Sequence, residues 1–353
     1  MKAISLFSGA GIGEYYLKKD LGINIVAANE INDKRASLYS FFYPDTKMYV
    51  GDITQKKIKE SLFNDIKDVD LIIATPPCQG VSSLGKNKTS KSFIKDKRNF
   101  LIFDVFEFID KYKPKFVIIE NTERFSKMYF PFKNTLEKLD KILLFKYGNE
   151  YDLINKTLNC EDYGVAQSRP RSIYVLYKKD SSFSLPKKEK KICLTEAIGY
   201  LPSLDPGDRS NIKWHYAKPH KKEIIECLRR TPEGQSALSN RRYFPKNSNG
   251  EKISGFHNTY KRMKWSKPCP TRTTYMGSPS SHNNIHPGRK LGKNKYSDPR
   301  VLTLLEIFIV SSLPKNMTFP SWATDNLIRT VIGEGVPPLF FRKIVQGLSN
   351  ERK

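Results

Sequence analysis

The stretch Thr75-Pro76-Pro77-Cys78-Gln79-Gly80 places a thiol where it can react. The apolar run before it, Leu71-Ile72-Ile73-Ala74, reads as a buried strand. Two prolines stop that strand, because proline has no N–H to give to a ladder. Cys78 is therefore expected at the carboxyl tip of a strand, on a stiff turn, at the edge where open α/β sheets bind ligands. The five cysteines, at 78, 160, 193, 227 and 269, are odd in number, scattered, and include no Cys-x-x-Cys pair. Neither a disulfide framework nor a metal site is indicated, which leaves Cys78 as a candidate nucleophile in a reducing compartment.

Two further segments carry groups that could act with a thiolate. Glu120-Asn121 follows the fully apolar run Phe116-Val117-Ile118-Ile119. A carboxylate at such a tip is partly desolvated, which makes it a usable proton donor. Gln167-Ser168-Arg169-Pro170-Arg171 precedes another apolar run, and alternation predicts that Arg169 and Arg171 share one side of an extended segment. One or both could hold a carbonyl oxygen or a phosphate.

A cofactor site is suggested by three successive strand tips. Phe7-Ser8-Gly9-Ala10-Gly11-Ile12-Gly13 joins the first strand to the first helix. Glycines let a ligand approach the backbone, and a helix start offers free N–H groups. Its spacing is not the usual dinucleotide pattern. Glu30 ends the second strand about 20 residues on, a position suited to ribose hydroxyls, and Asp52 ends the third, where it could accept from an adenine amino group. Together they point to an adenosine-containing cofactor.

The elements that position these groups alternate in the manner of a parallel sheet with crossover helices. Strands are predicted at Lys2–Phe7, Asn24–Ala28, Lys47–Val50, Asp70–Ala74, Phe116–Glu120, Leu143–Tyr147 and Ile173–Tyr177. Helical spacing covers Glu14–Leu21, Asp33–Phe41 and Phe100–Tyr112. After about residue 180, Pro, Gly, Asn and basic residues dominate. Order returns with helices predicted over Val301–Ser312, Asn326–Ile332 and Pro338–Leu348. The Lys187–Lys191 cluster reads as a solvated linker.

Composition narrows the partners. The 353 residues carry a formal charge of +25, and 39% are hydrophobic. No run approaches the roughly 18 apolar residues that span a membrane. Met1-Lys2-Ala3-Ile4 leads directly into a strand pattern without a signal-peptide layout, so a cytoplasmic protein is expected. Between Asp180 and Pro299 there are 24 Lys and Arg against 10 Asp and Glu, so more than half the net charge sits in that stretch. A polyanion, most simply nucleic acid, is the expected partner.

Taken in order, the motifs resemble those of cytosine-C5 DNA methyltransferases across nearly the whole chain. Phe7-Ser8-Gly9-Ala10-Gly11 resembles the cofactor loop, Pro76-Pro77-Cys78-Gln79 the nucleophile motif, and Asp96-Lys97-Arg98-Asn99-Phe100-Leu101 the segment that closes the mobile catalytic loop. Glu120-Asn121-Thr122 is similar to Glu-Asn-Val, and Gln167-Ser168-Arg169-Pro170-Arg171 to Gln-x-Arg-x-Arg. Arg300-Val301-Leu302-Thr303-Leu304-Leu305-Glu306 resembles the helix that supports the recognition domain, and Ile332-Gly333-Glu334-Gly335-Val336-Pro337-Pro338 the last motif of the family.

The resemblance implies an α/β, Rossmann-like fold that uses S-adenosylmethionine, with a second, smaller and irregular target-recognition domain. Residues 1–179 plus 300–353 would form the catalytic and cofactor-binding domain and 180–299 the DNA-binding one. Cys78 would add to C6 of a flipped-out cytosine, Glu120 would contact N3 and the exocyclic amine, and Arg169 and Arg171 would hold O2. Phe7, Gly9, Gly11, Glu30, Asp52, Ile53, Pro76, Leu101, Glu334 and Val336 would line the cofactor site. Gln79, Ser82, Arg98, Gln167, Arg241, Arg242, Arg262, Arg272 and Arg289 would meet DNA. No metal is implied. The implied partners are double-stranded DNA and a cognate restriction endonuclease, with no membrane, and a monomer is the default state. An RNA (tRNA) methylase on the same scaffold and a catalytically silent DNA-binding module are the alternative readings.

Overall fold

The computed structural model describes residues 1–77 and 97–351. Cys78, Gln79 and Ser82 lie outside the described residues. Those described fall into two compact units. The first comprises 1–159, 170–187 and 341–353, and the second 160–169 and 188–340.

The first unit is built on one sheet of β1 (Lys2–Leu6), β2 (Asn24–Glu30), β3 (Lys47–Val50), β4 (Leu71–Ala74), β5 (Phe116–Thr122), β8 (Tyr151–Asn159) and β10 (Pro170–Lys178). Its order is β3-β2-β1-β4-β5-β10-β8; β6 (Tyr129–Phe132) and β7 (Thr135–Lys138) form a separate hairpin, and β9 (Gln167–Ser168) pairs outside this sheet. The first five strands run parallel, β10 runs antiparallel to β5, and β8, antiparallel to β10, points the same way as the first five. The strands β1, β4 and β5 are buried at nearly every position, on both faces, as is usual in a parallel sheet. Beside the sheet, the helix Ile102–Tyr112 buries Ile102, Val105, Phe106, Phe108 and Ile109, positions three or four apart on one side. The strand order reverses between β1 and β4, so their carboxyl tips flank the switch point where such sheets bind ligands.

One expected element needs correction, and two further elements have no counterpart in the sequence pattern. Leu143–Tyr147 is not a strand; it belongs to the helix Leu139–Tyr147, which buries Leu139, Ile142, Leu143 and Tyr147. A short apolar run is ambiguous by itself, and the buried positions here recur with helical spacing. The strand in that region is instead β8, an edge strand whose mixed burial hides it from a search for apolar runs. The helix Lys56–Asp65, between β3 and β4, has no counterpart in the sequence reading.

The second unit is mostly loops and turns, with the helices Leu194–Ile198, Lys222–Arg229, Leu304–Val310 and Asp325–Glu334. Packing divides the chain differently from boundaries at 180 and 300, because residues 160–169 and 300–340 belong here. Residues 300–306 are tied into this unit by a buried ionic centre. The Arg300 guanidinium donates to Asp298 Oδ1 at 2.8 Å and to both Glu306 oxygens at 2.8 and 3.0 Å, and all three side chains are fully buried. His286 packs against it with Nε2 3.5 Å from Glu306. Gly288 N–H donates to His286 Nδ1, so the ring's own proton sits on Nε2, facing the carboxylate. Burial, with Arg300 adding to it, pushes His286 down to about 4 and keeps it neutral. The lysines near 190 are not simply solvated: Lys188 and Lys191 pair with Asp162, and Lys191 also with Glu161.

Candidate active site

The first loop of the sheet leaves β1 through Phe7, whose φ of 58° is unusual for a residue with a side chain. Ser8 N–H donates to Asn29 O and Gly9 N–H to Glu30 Oε2 at 2.9 Å, so the loop is drawn onto the tip of β2. Gly9 and Gly11 both have left-handed φ, 56° and 70°. A Cβ on Gly11 would come 2.3 Å from the Tyr43 ring, whereas one on Gly9 would meet nothing within 4 Å. Gly11 is therefore glycine because the protein packs against it, and Gly9 leaves open space beside the loop. Tyr43 Oη donates to Gly11 O at 2.6 Å. Beneath the loop, the buried Glu14 accepts from Ser5 Oγ and from Tyr39 Oη. Burial pushes Glu14 up to about 7 against the pull of those two donors.

Glu30 also accepts from Asn32 N–H at 2.8 Å and has Arg35 at 3.7 Å. A carboxylate offers about four acceptor sites, so this one retains capacity for ligand hydroxyls. Asn29 donates to Tyr49 O and Gly51 O, which fixes the tip of β3 beside it. Asp52 lies two residues past β3 and accepts from Thr54 N–H and Oγ1. Ile53 is buried in the apolar core. The sequence reading passed over Ile31, which follows Glu30 and is 63% exposed. Its signal was an apolar residue directly after an acidic strand tip.

Two hydrogen bonds and an ion pair then lead from strand to strand. Thr75 Oγ1 donates to Phe7 O at 2.9 Å, tying the end of β4 to the glycine loop. The Asn121 side chain donates to the carbonyl of the buried Pro76 at 3.0 Å, tying the end of β5 to the Pro-Pro turn. Arg171 Nε lies 2.8 Å from Glu120 Oε1, tying β10 to β5. The side chains of Glu120 and Arg171 are only 9% and 11% exposed. Leu101 is half-buried, just ahead of the helix Ile102–Tyr112, and Arg98 is exposed.

Arg169 departs from its expected role. It is buried, and its guanidinium donates to the carbonyls of Arg272, Gly333 and Glu334 at 2.8, 2.9 and 3.1 Å. The alternation that would align it with Arg171 fails because Arg169 sits in the break between β9 (Gln167–Ser168) and β10. Arg169 braces the end of the helix Asp325–Glu334, next to Val336, which is buried; the Glu334 side chain is exposed.

Several expected DNA contacts are likewise internal. Gln167, Arg262 and Arg272 are each about 1% exposed. Gln167 accepts from Arg272 N–H and donates to Ser311 Oγ. Arg262 donates to the carbonyls of Leu228, His286, Ser297 and Asp298. Arg289 donates to Gly199 O while its guanidinium lies over the Trp265 ring. Arg241 and Arg242 are exposed, as a phosphate contact requires.

Known proteins resemble this chain over nearly its whole length. The family profile described as C-5 cytosine-specific DNA methylase matches residues 1–350. The chain is 42% identical to the type II methyltransferase M1.HgaI of Avibacterium volantium, over 99% of this chain and 98% of that protein. It is 27% identical to the type II methyltransferase M1.HphI of Haemophilus parahaemolyticus, over 98% and 86% of the two chains. The fold matches the crystal structure of Spodoptera frugiperda DNMT2 with a TM-score of 0.63 at 17% identity, covering 98% of both chains. The chain therefore belongs to the C-5 cytosine-specific DNA methylase family and is a methyltransferase of that family.

Proposed function

We propose that this protein methylates C5 of cytosine in a specific double-stranded DNA sequence, using S-adenosylmethionine, as the modification enzyme of a restriction-modification system. The observation that carries the reading is the run of hydrogen bonds from the glycine loop through Thr75 and Pro76 to Asn121, ending at the Glu120–Arg171 pair. It gathers the cofactor loop, the turn that leads into Cys78 and a buried acid–base pair at neighbouring strand tips. The sequence similarity to type II methyltransferases along nearly the whole chain supports the restriction-modification setting.

The residues fit the cofactor. Glu30 would receive the ribose hydroxyls, Ile31 would cover the adenine, and the space open at Gly9 would admit the rest. When bound, S-adenosylmethionine supplies an electrophilic methyl group. Cytosine C5 is too electron-poor to attack it unaided. Addition of the Cys78 thiolate at C6 makes C5 nucleophilic, and a thiolate both adds and leaves readily. Glu120 would meet N3 and the exocyclic amine, and Arg171 would hold O2, where charge accumulates as the ring is attacked. Loss of the C5 proton and expulsion of Cys78 then restore the aromatic ring. The target atom is inaccessible in a duplex, so the base must swing out, which costs a few kcal/mol. Residues 180–299 would choose the sequence.

The test is methylation of duplex DNA and of tRNA side by side with a labelled methyl donor, followed by bisulfite sequencing of the DNA. We expect cytosines in one DNA sequence to be modified. We also expect Cys78→Ala to bind DNA without methylating it, and 5-fluorocytosine DNA to trap the wild-type enzyme covalently. Transfer to tRNA alone, or near-normal turnover by Cys78→Ala, would overturn the assignment.

A further inference from the structure

The second unit exposes aromatic rings where its arginines were expected. From Gln235 to Ser297 there are 13 Lys and Arg and a single acid, Glu251. Two of those arginines, Arg262 and Arg272, are buried and cannot reach a partner. Phe256 and Tyr275, in the same stretch, are 75% and 77% exposed, the most exposed large hydrophobic side chains among the described residues. One exposed apolar residue is ordinary. These two share a built platform.

Each ring opens a tight turn. Thr259 N–H returns to Phe256 O at 2.9 Å, and Ser278 N–H to Tyr275 O at 3.2 Å. The turns lie side by side, because Tyr260 N–H donates to Pro279 O and Asn283 N–H to Asn258 O. Support comes from beneath. The Asn284 side chain donates to the carbonyls of Met276 and Ser278, and Arg272 donates to Asn284 Oδ1 and to Asn283 O. Two rigidly presented rings in an acid-poor, cation-rich stretch fit a polyanion that carries apolar base surfaces. Duplex DNA offers both, with thymine methyls and base faces as the apolar targets.

We propose that Phe256 and Tyr275 enter a groove of the substrate DNA, make apolar contacts to its bases, and so help to select the sequence that is methylated. This inference rests on the DNA-methylating reading above.

The experiment measures methylation across a random-sequence duplex library, with the intact enzyme, for wild type, Phe256→Ala, Tyr275→Ala and Tyr275→Phe. Each alanine variant is expected to lose about tenfold or more in kcat/KM on the preferred sequence and to accept a wider set of sequences. The salt dependence of its non-specific DNA binding should stay unchanged, since no charge is removed. Tyr275→Phe keeps the ring and should behave as wild type. Thermal melts should coincide, because the rings touch little of the protein. Alanine variants that keep wild-type rate and preference, or that lose rate equally on every sequence, overturn the inference while the methylating reading stands. A wild-type enzyme that methylates no DNA overturns both.

Discussion

Arg171 Nε sits 2.8 Å from Glu120 Oε1 although the two residues are not paired across the sheet. Arg171 on β10 faces Thr122 on β5, two residues further along, so the contact is a diagonal one on a single face. A planar guanidinium in that position orients the carboxylate, gives one Nη1–H to Pro170 O at 2.7 Å, and has further N–H groups for a ligand oxygen. Glu120→Gln should preserve the fold and lower methyl transfer by at least about a hundredfold, the usual scale of a positioned acid or base. Arg171→Ala should also cost about 3 kcal/mol of stability, because it strands a buried carboxylate. Steady-state methyl-transfer kinetics and urea unfolding separate the two effects; a Glu120→Gln enzyme with normal kcat would remove this residue from the chemistry.

The two loop glycines should fail in different ways. Gly11→Ala drives a methyl into Tyr43 and Tyr39, so a large drop in melting temperature is expected. Gly9→Ala meets no protein atom and should carry only the left-handed backbone penalty of about 1 kcal/mol. It should nevertheless weaken S-adenosylmethionine binding about tenfold or more, because the added methyl occupies the space left for the ligand. Calorimetric titration of both variants checks this. Unaltered cofactor affinity in Gly9→Ala would place the cofactor elsewhere.

Glu14 sets a pH dependence of stability. Burial raises it from an ordinary 4.5 to about 7 in the folded protein. Between those values the unfolded chain has released the proton that the folded chain still holds. Stability from this group therefore falls as pH rises through that window, and the loss is complete above about 7. Glu14→Gln removes the titration while keeping groups that can bond to Ser5 and Tyr39. Its melting temperature relative to wild type should rise between pH 5 and about pH 7 and level off above that. Parallel melting curves across that range would contradict a buried, titrating Glu14.

Buried and exposed arginines of the second unit should separate cleanly. Arg272→Ala removes the partner of Asn284 and of the Asn283 carbonyl, and should destabilise by about 3 kcal/mol through the buried groups it leaves unsatisfied. Arg241→Ala should leave stability unchanged and lower the salt slope of DNA binding by about one. Unfolding curves and DNA affinity measured against salt concentration test the pair, and an unaffected melting temperature for Arg272→Ala would refute its bracing role.

The sheet was legible where burial on both faces leaves an unbroken apolar run, as in Leu71–Ala74 and Phe116–Ile119. It was not legible in β8, whose edge position mixes polar and apolar residues, nor in Leu143–Tyr147, where four apolar residues fit either period. Of the candidate site, Gly9, Glu30 and Glu120 stand out in the sequence because they follow apolar runs at strand tips, whereas Gly11 is fixed by the Tyr43 ring packed against it, which spacing does not reveal. The arginines misled for a physical reason. Arg169, Arg262 and Arg272 fill carbonyl-lined interior niches created by distant loops, and chain spacing carries no trace of that surrounding.

The platform under Phe256 and Tyr275 hangs from Arg272 and Asn284, neither of which reaches solvent. Foundation and façade are thus separate inheritances. Residues at the tips of those turns can be exchanged while the interior struts stay in place, so altering the exposed rings should leave the scaffold beneath them folded.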